Sequence, residues 1–97
     1  MRTLYPVYLE TDDGFATFGV IVPDLPGCVS AGDSIEDSIA MAGEAIHLHL
    51  EGILADGLPV PAPSPVSVHL RNKADWFENP GLWALVAVEF PGLEGAA

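Results

Sequence analysis

The sequence predicts an α+β fold, a small and mostly antiparallel sheet with one main helix on one face. Three features predict it: a hairpin pattern over residues 4–22, a long capped helix over 35–56, and an apolar closing strand over 82–90. With a short third strand before the helix, the order is β-β-β-α-β.

In residues 4–10 (LYPVYLE), Tyr5, Val7 and Leu9 recur at period two, the spacing of one face of a strand. Pro6 has no N–H, so this strand is expected at a sheet edge, or paired on one side only at that point. Residues 11–14 (TDDG) are turn chemistry, and residues 15–22 (FATFGVIV) read as the second strand. Residues 23–27 (PDLPG) hold two prolines and a glycine, which fix a rigid loop. A short third strand is expected at residues 28–31.

Ser34 is a good N-cap, and Asp37 three positions later completes a variant of the capping box. Glu36 and Asp37 also sit where the helix dipole favours negative charge. Ile35, Ile39, Ala42, Ile46, Leu50 and Ile53 form one stripe at helical spacing, expected to cover the sheet. Glu36, Ala40, Glu44, His47 and Glu51 fall on the face toward water. Met41, Ala45 and Leu48 add an apolar ridge that suits either a deeply sunk helix or an interface. Gly57, followed by Pro59 and Pro61, ends the helix.

Residues 57–65 (GLPVPAPSP) carry four prolines and read as an extended, solvated connector. A short helix is expected between Ser64 and Asn79, with Val66, Leu70 and Phe77 on one face. Residues 82–90 (LWALVAVEF) are apolar on both faces up to Glu89, which suggests a central strand. Residues 1–90 make the domain and 91–97 a tail.

Three Lys and Arg against fourteen Asp and Glu give a net charge of −11. Nucleic-acid binding draws most of its affinity from cations that neutralise phosphates, so these residues alone are not expected to bind DNA or RNA. A basic protein partner is favoured instead. One cysteine, Cys28, excludes an internal disulfide framework and reads as a small buried hydrophobe. No run approaches the ~20 apolar residues of a membrane span. A cytoplasmic protein is expected.

Several stretches together resemble the HicB-like antitoxins of toxin-antitoxin systems. They are Tyr5-Pro6-Val7 opening a strand, Pro23-Asp24-Leu25-Pro26-Gly27-Cys28 after the second strand, and Gly32-Asp33-Ser34-Ile35-Glu36-Asp37-Ser38 at the helix start. Ala45-Ile46, the exit Asp56-Gly57-Leu58-Pro59-Val60-Pro61 and the closing Trp83-Ala84-Leu85-Val86-Ala87-Val88 complete the set. The resemblance is close over residues 4–64, moderate over 82–90 and poor over 65–81. It implies a partial RNase H-like fold, a homo-oligomer (dimer or tetramer), and a HicA-like basic toxin as partner, neutralised by occlusion of its RNA face. Many members continue into a ribbon-helix-helix or helix-turn-helix module that binds operator DNA. These 97 residues contain no basic helix or strand after the closing strand, so DNA binding is not assigned to them.

Asp24, Leu25, Asp33 and Glu36 are the candidate toxin contacts, because a rigid loop and a helix start present them at fixed geometry. Met41, Leu48 and Trp76 are the candidate self-association residues. No catalytic, cofactor or metal site is assigned. His47 and His49, two apart on a helix, point about 200° from one another and cannot share an ion. The competing readings are a metal-dependent nuclease, with Asp24, Asp33, Glu36 and Asp37 as its carboxylates, and an orphan oligomeric scaffold or ligand-binding domain.

Overall fold

A computed structural model of the chain describes residues 2–11, 16–72 and 80–89. Strands β1 (Arg2–Thr11), β2 (Phe18–Ile21), β3 (Val29–Gly32) and β4 (Gly81–Glu89) form one antiparallel sheet in the order β3-β2-β1-β4. The main helix, α1 (Ile35–Ala55), covers one face, and a short α2 (Val66–Asn72) precedes β4. The α+β class, the hairpin and the single main helix agree with the sequence reading. β2 is shorter than expected, and β3 begins one residue later.

The alternation in β1 sends Tyr5, Val7 and Leu9 into the core beside Phe18, Val20, Val86 and Val88. From α1 they meet Ala42, Ile46 and Leu50, all fully buried. Burying one such large aliphatic side chain contributes about 1.5–3 kcal/mol. The helix stripe differs from expectation at its start. Ile35 and Ile39 are 39% and 38% exposed, whereas Ser38 is fully buried. Gly32 is the reason: a Cβ there would meet the Ser38 Cα and N at 2.6 Å. The first turn of α1 lies so close to β3 that only a small side chain fits, and the Ser38 hydroxyl donates to Ser34 O at 2.6 Å.

Both ends of α1 follow the sequence signals. Ser34 Oγ accepts from Asp37 N at 2.9 Å, and Asp37 Oδ2 accepts from Asp33 N at 3.0 Å. At the far end Gly57 has φ of 69°, Gly57 N donates to Leu54 O, and Leu58 N donates to Ile53 O. This pair of bonds is the Schellman arrangement, which satisfies the last helical carbonyls.

One strand position is reversed relative to expectation, while the alternative expected of β1, pairing on one side only at Pro6, is met. β1 is interior in the sheet order, and β4, read as central from its composition, is an edge. Pro6 is accommodated through register. Thr11 N donates to Pro80 O at 2.9 Å, so the hydrogen-bonded pairs of β1 and β4 alternate from there. Pro6 opposite Leu85 is then a non-hydrogen-bonded pair, with the proline nitrogen turned away from β4. On that side the β1–β2 pairing ends at Tyr8 opposite Ile21, so only β4 runs alongside Pro6.

The connector is docked, contrary to the solvated segment expected. Tyr5 Oη donates to Pro61 O at 2.7 Å, Ser64 N donates to Asp24 Oδ2 at 3.0 Å, and Val60 packs against the core. The Ser64 N–H is thereby used in a tertiary bond. α2 realises part of the short helix expected over 64–79; Phe77 and the rest of 73–79 lie outside the described residues.

Candidate protein-binding surface

The β2–β3 loop is rigid, as its prolines and glycine predict, but it points inward. Leu25 N donates to Val22 O, Cys28 N to Leu25 O and Val22 N to Cys28 O, with Gly27 at φ 87°. Leu25 is fully buried, and Cys28 is a buried free thiol. Burial pushes the Cys28 thiol up from its ordinary range.

Asp24 is equally committed to the interior. Its side chain is 6% exposed, and one carboxylate oxygen takes both the Ser64 N–H and His69 Nε2, the latter at 3.2 Å. The His69 ring stacks on Trp83 at 5.9 Å between centroids, and Trp83 in turn lies 5.2 Å from Tyr8. Asp24 therefore ties the loop, the connector and α2 to the sheet face opposite α1. As surface contacts for a partner, Asp24 and Leu25 are corrected: the carboxylate satisfies buried donors, and the leucine fills core. A loop leucine between two prolines, with a solitary histidine downstream, is the one sequence signal that could have pointed to this arrangement, and it was read instead as a surface loop.

Of the other candidates, Glu36, Met41 and Leu48 lie on α1, and Asp33 immediately precedes its N-cap. Asp33 and Glu36 are exposed at its start, and Glu44, His47 and Glu51 continue along the outward face. His47 Nδ1 is 3.7 Å from Glu51 Oε1, a pair about half open to solvent. The helix contains no Lys or Arg, so this face presents acid along its whole length. Beside it, between α1 and the β3 edge, lies an open groove of about 560 Å3 lined by Val29, Ser30, Met41, Ala45 and Leu48, with Glu44 and His47 among its lining residues. Leu48 is 68% and Val29 64% exposed. Met41 and Leu48 thus share one concave, apolar, acid-rimmed surface. Trp76 lies outside the described residues. Val29 was absent from the sequence candidates, since a lone valine before a serine carries no sign that its strand is an edge.

The four carboxylates weighed as a nuclease constellation are dispersed. Asp24 is inside, Asp37 is held by the Asp33 N–H, and Asp33 and Glu36 face solvent. Among the described residues no group of three or more His, Cys, Asp or Glu is placed to hold a metal ion. No helix of the described residues is long and apolar enough to cross a membrane.

These features define a small α+β domain whose main helix carries an exposed acidic face beside an open, largely apolar groove. The chain belongs to the HicB-like antitoxin family of bacterial toxin-antitoxin systems, whose family model matches residues 5–97. It is 41% identical over 70 residues to an uncharacterized 14.9 kDa protein of the rep-hol intergenic region of Haemophilus phage HP1. That match covers 71% of this chain and 50% of the phage protein, so the chain spans about half the length of that relative. The fold superposes on the N-terminal domain of the Burkholderia pseudomallei antitoxin HicB with a TM-score of 0.70 at 33% identity, covering 93% of this chain and 100% of that one. It also resembles a chain of the HicA3 and HicB3 toxin-antitoxin complex, with a TM-score of 0.71 at 25% identity, covering 91% and 100% of the two chains.

Proposed function

We propose that this domain neutralises a HicA-type toxin by binding it stoichiometrically, without turnover, through the outer face of α1. The observation that carries the reading is the spread of carboxylates along that face, Asp33, Glu36, Glu44 and Glu51, with no Lys or Arg in the helix, on a chain of net charge −11. A basic, RNA-cleaving protein holds its substrate by cationic side chains, and an array of fixed carboxylates competes for the same cations. The groove of Val29, Met41 and Leu48 supplies the apolar anchor such a contact needs at its centre, with Glu44 at its rim. That acidic rim suits a basic partner better than a second acidic copy, so Met41 and Leu48 are assigned to the toxin surface here. Occupation of the toxin's RNA-contacting face is the neutralising event.

Co-expression tests this reading. The intact chain should co-purify with a HicA-type toxin and abolish its growth arrest. The paired reversal Asp33→Lys and Glu36→Lys should weaken association and flatten its salt dependence while leaving the fold intact, because both side chains face water. Unchanged affinity in that variant and in Leu48→Glu would place the toxin elsewhere on the domain.

A further inference from the structure

We propose that β3 takes up a strand of the bound toxin, so that the partner extends the sheet and sends alternate side chains into the α1 groove. This pairing rests on the α1 face being the toxin surface and specifies which part of the toxin meets it. In the order β3-β2-β1-β4, β3 has β2 on one side, and among the described residues no strand lies on the other. Its four residues, Val29-Ser30-Ala31-Gly32, carry no charge and no proline, and their register with β2 runs without a bulge. Those are the devices that usually guard an edge, which leaves only the shortness of the strand as a guard.

The register fixes which backbone groups face outward. Val22 N donates to Cys28 O at 3.2 Å, so the hydrogen-bonded positions of this hairpin recur at Ser30 opposite Val20 and at Gly32 opposite Phe18. Val29 and Ala31 occupy the alternate positions, and the N–H and C=O of each point away from β2. Val29 is 64% exposed and Ala31 is exposed as well, so these four groups are open to a partner.

Two outward residues are too few to hold a strand by backbone bonds alone, and the second anchor lies alongside. Ser30, paired with the buried Val20, falls on the α1 side of the sheet, where it lines the groove with Met41, Ala45, Leu48 and Glu44. A strand laid on β3 sets its own side chains on that side at a spacing of about 6.5–7 Å. One apolar residue then enters the groove against Met41 and Leu48, and a Lys or Arg two positions along meets Glu44. Charge selects the occupant: α1 has no Lys or Arg, and repulsion between two chains of −11 opposes a second copy at this edge.

Amide hydrogen exchange of the whole chain, free and saturated with a purified HicA-type toxin, tests this. In the free domain the Val29 and Ala31 amides should exchange fast and the Ser30 amide, bonded toward Val20, slowly. In the complex Val29 and Ala31 should slow by about tenfold or more. Ala31→Pro removes one outward N–H at an edge, where proline is tolerated. With unchanged circular dichroism it should weaken toxin binding roughly tenfold. Should that variant unfold, the exchange comparison on the wild type decides alone. Free-rate exchange at both amides in a formed complex, or full affinity in folded Ala31→Pro, would overturn the strand pairing, and the α1 face would still stand if the Asp33 and Glu36 reversals weaken binding. Slowed amides with affinity indifferent to those reversals would keep the pairing and remove the acidic face. Absence of any complex overturns both.

Discussion

Asp24, in the β2–β3 loop, holds His69 of α2 at 3.2 Å while the same carboxylate oxygen accepts the Ser64 N–H. One acid thereby fixes a loop, a proline-rich connector and a short helix against the sheet. Both side chains are nearly closed to solvent, so the contact lies in a medium where an orphaned partner is costly.

Removing that acid should destabilise the domain without touching the toxin surface. Asp24→Ala strands the Ser64 N–H and His69 together and should cost about 1–3 kcal/mol in urea unfolding. His69→Ala should cost less, and the double variant less than the sum of the singles, because the two side chains share one interaction. Additive losses would show that they act independently.

The interior of the sheet–helix layer should respond to volume in both directions. Ile46→Ala leaves a cavity under α1 and should cost about 2–5 kcal/mol. Gly32→Ala does the reverse, driving a methyl into the Ser38 backbone, and should cost about 1–3 kcal/mol as overpacking. Thermal unfolding of each variant measures both.

Alkaline stability should reflect buried acids of the weak kind. Burial, with the Asp24 charge in support, raises the Tyr5 hydroxyl above its ordinary range, and burial likewise raises Tyr8, with help from Glu10, and Cys28. The unfolded chain then ionises first as pH climbs. The stability these groups lend is complete below their ordinary values, about 8.5 for Cys and 10 for Tyr, and drains away as pH rises toward the folded values. Urea unfolding from neutral pH upward should show this decline. Tyr5→Phe should lose about 1 kcal/mol at neutral pH with the Pro61 hydrogen bond, yet decline less steeply above it.

Much of this was legible in the residues because local rules and tertiary structure agree there. Ser34, Asp37 and Gly57 set the ends of α1 by hydrogen bonds made within a few residues. The antitoxin family, too, was readable from the ordered loop, cap and proline exit. The failures share a cause, which is that burial at those points is decided across the chain. Ser38 is buried because Gly32 lets the helix approach. The connector is docked because Tyr5 and Asp24 reach it, which no proline count reveals. Asp24 looked like a surface acid until its partners, 40 and 45 positions away, were placed beside it. β4 was read as central because its composition is that of a strand covered on every side, whereas its place in the sheet order is set by which strands pair across the chain. Of the interface candidates, Asp33, Glu36, Met41 and Leu48 stand on one helix and its groove, while Leu25 was drawn into the core.

In the proposed complex the carboxylates along α1 grip a cationic toxin. The most direct test of this contact is calorimetric titration of the domain into a purified HicA-type toxin across a salt series, with RNA cleavage followed in parallel. A saturable complex at fixed stoichiometry is expected, with affinity that falls as salt rises and cleavage lost in step with binding. Full cleavage in the presence of excess folded domain, or binding indifferent to salt and to the Asp33 and Glu36 reversals, would contradict it.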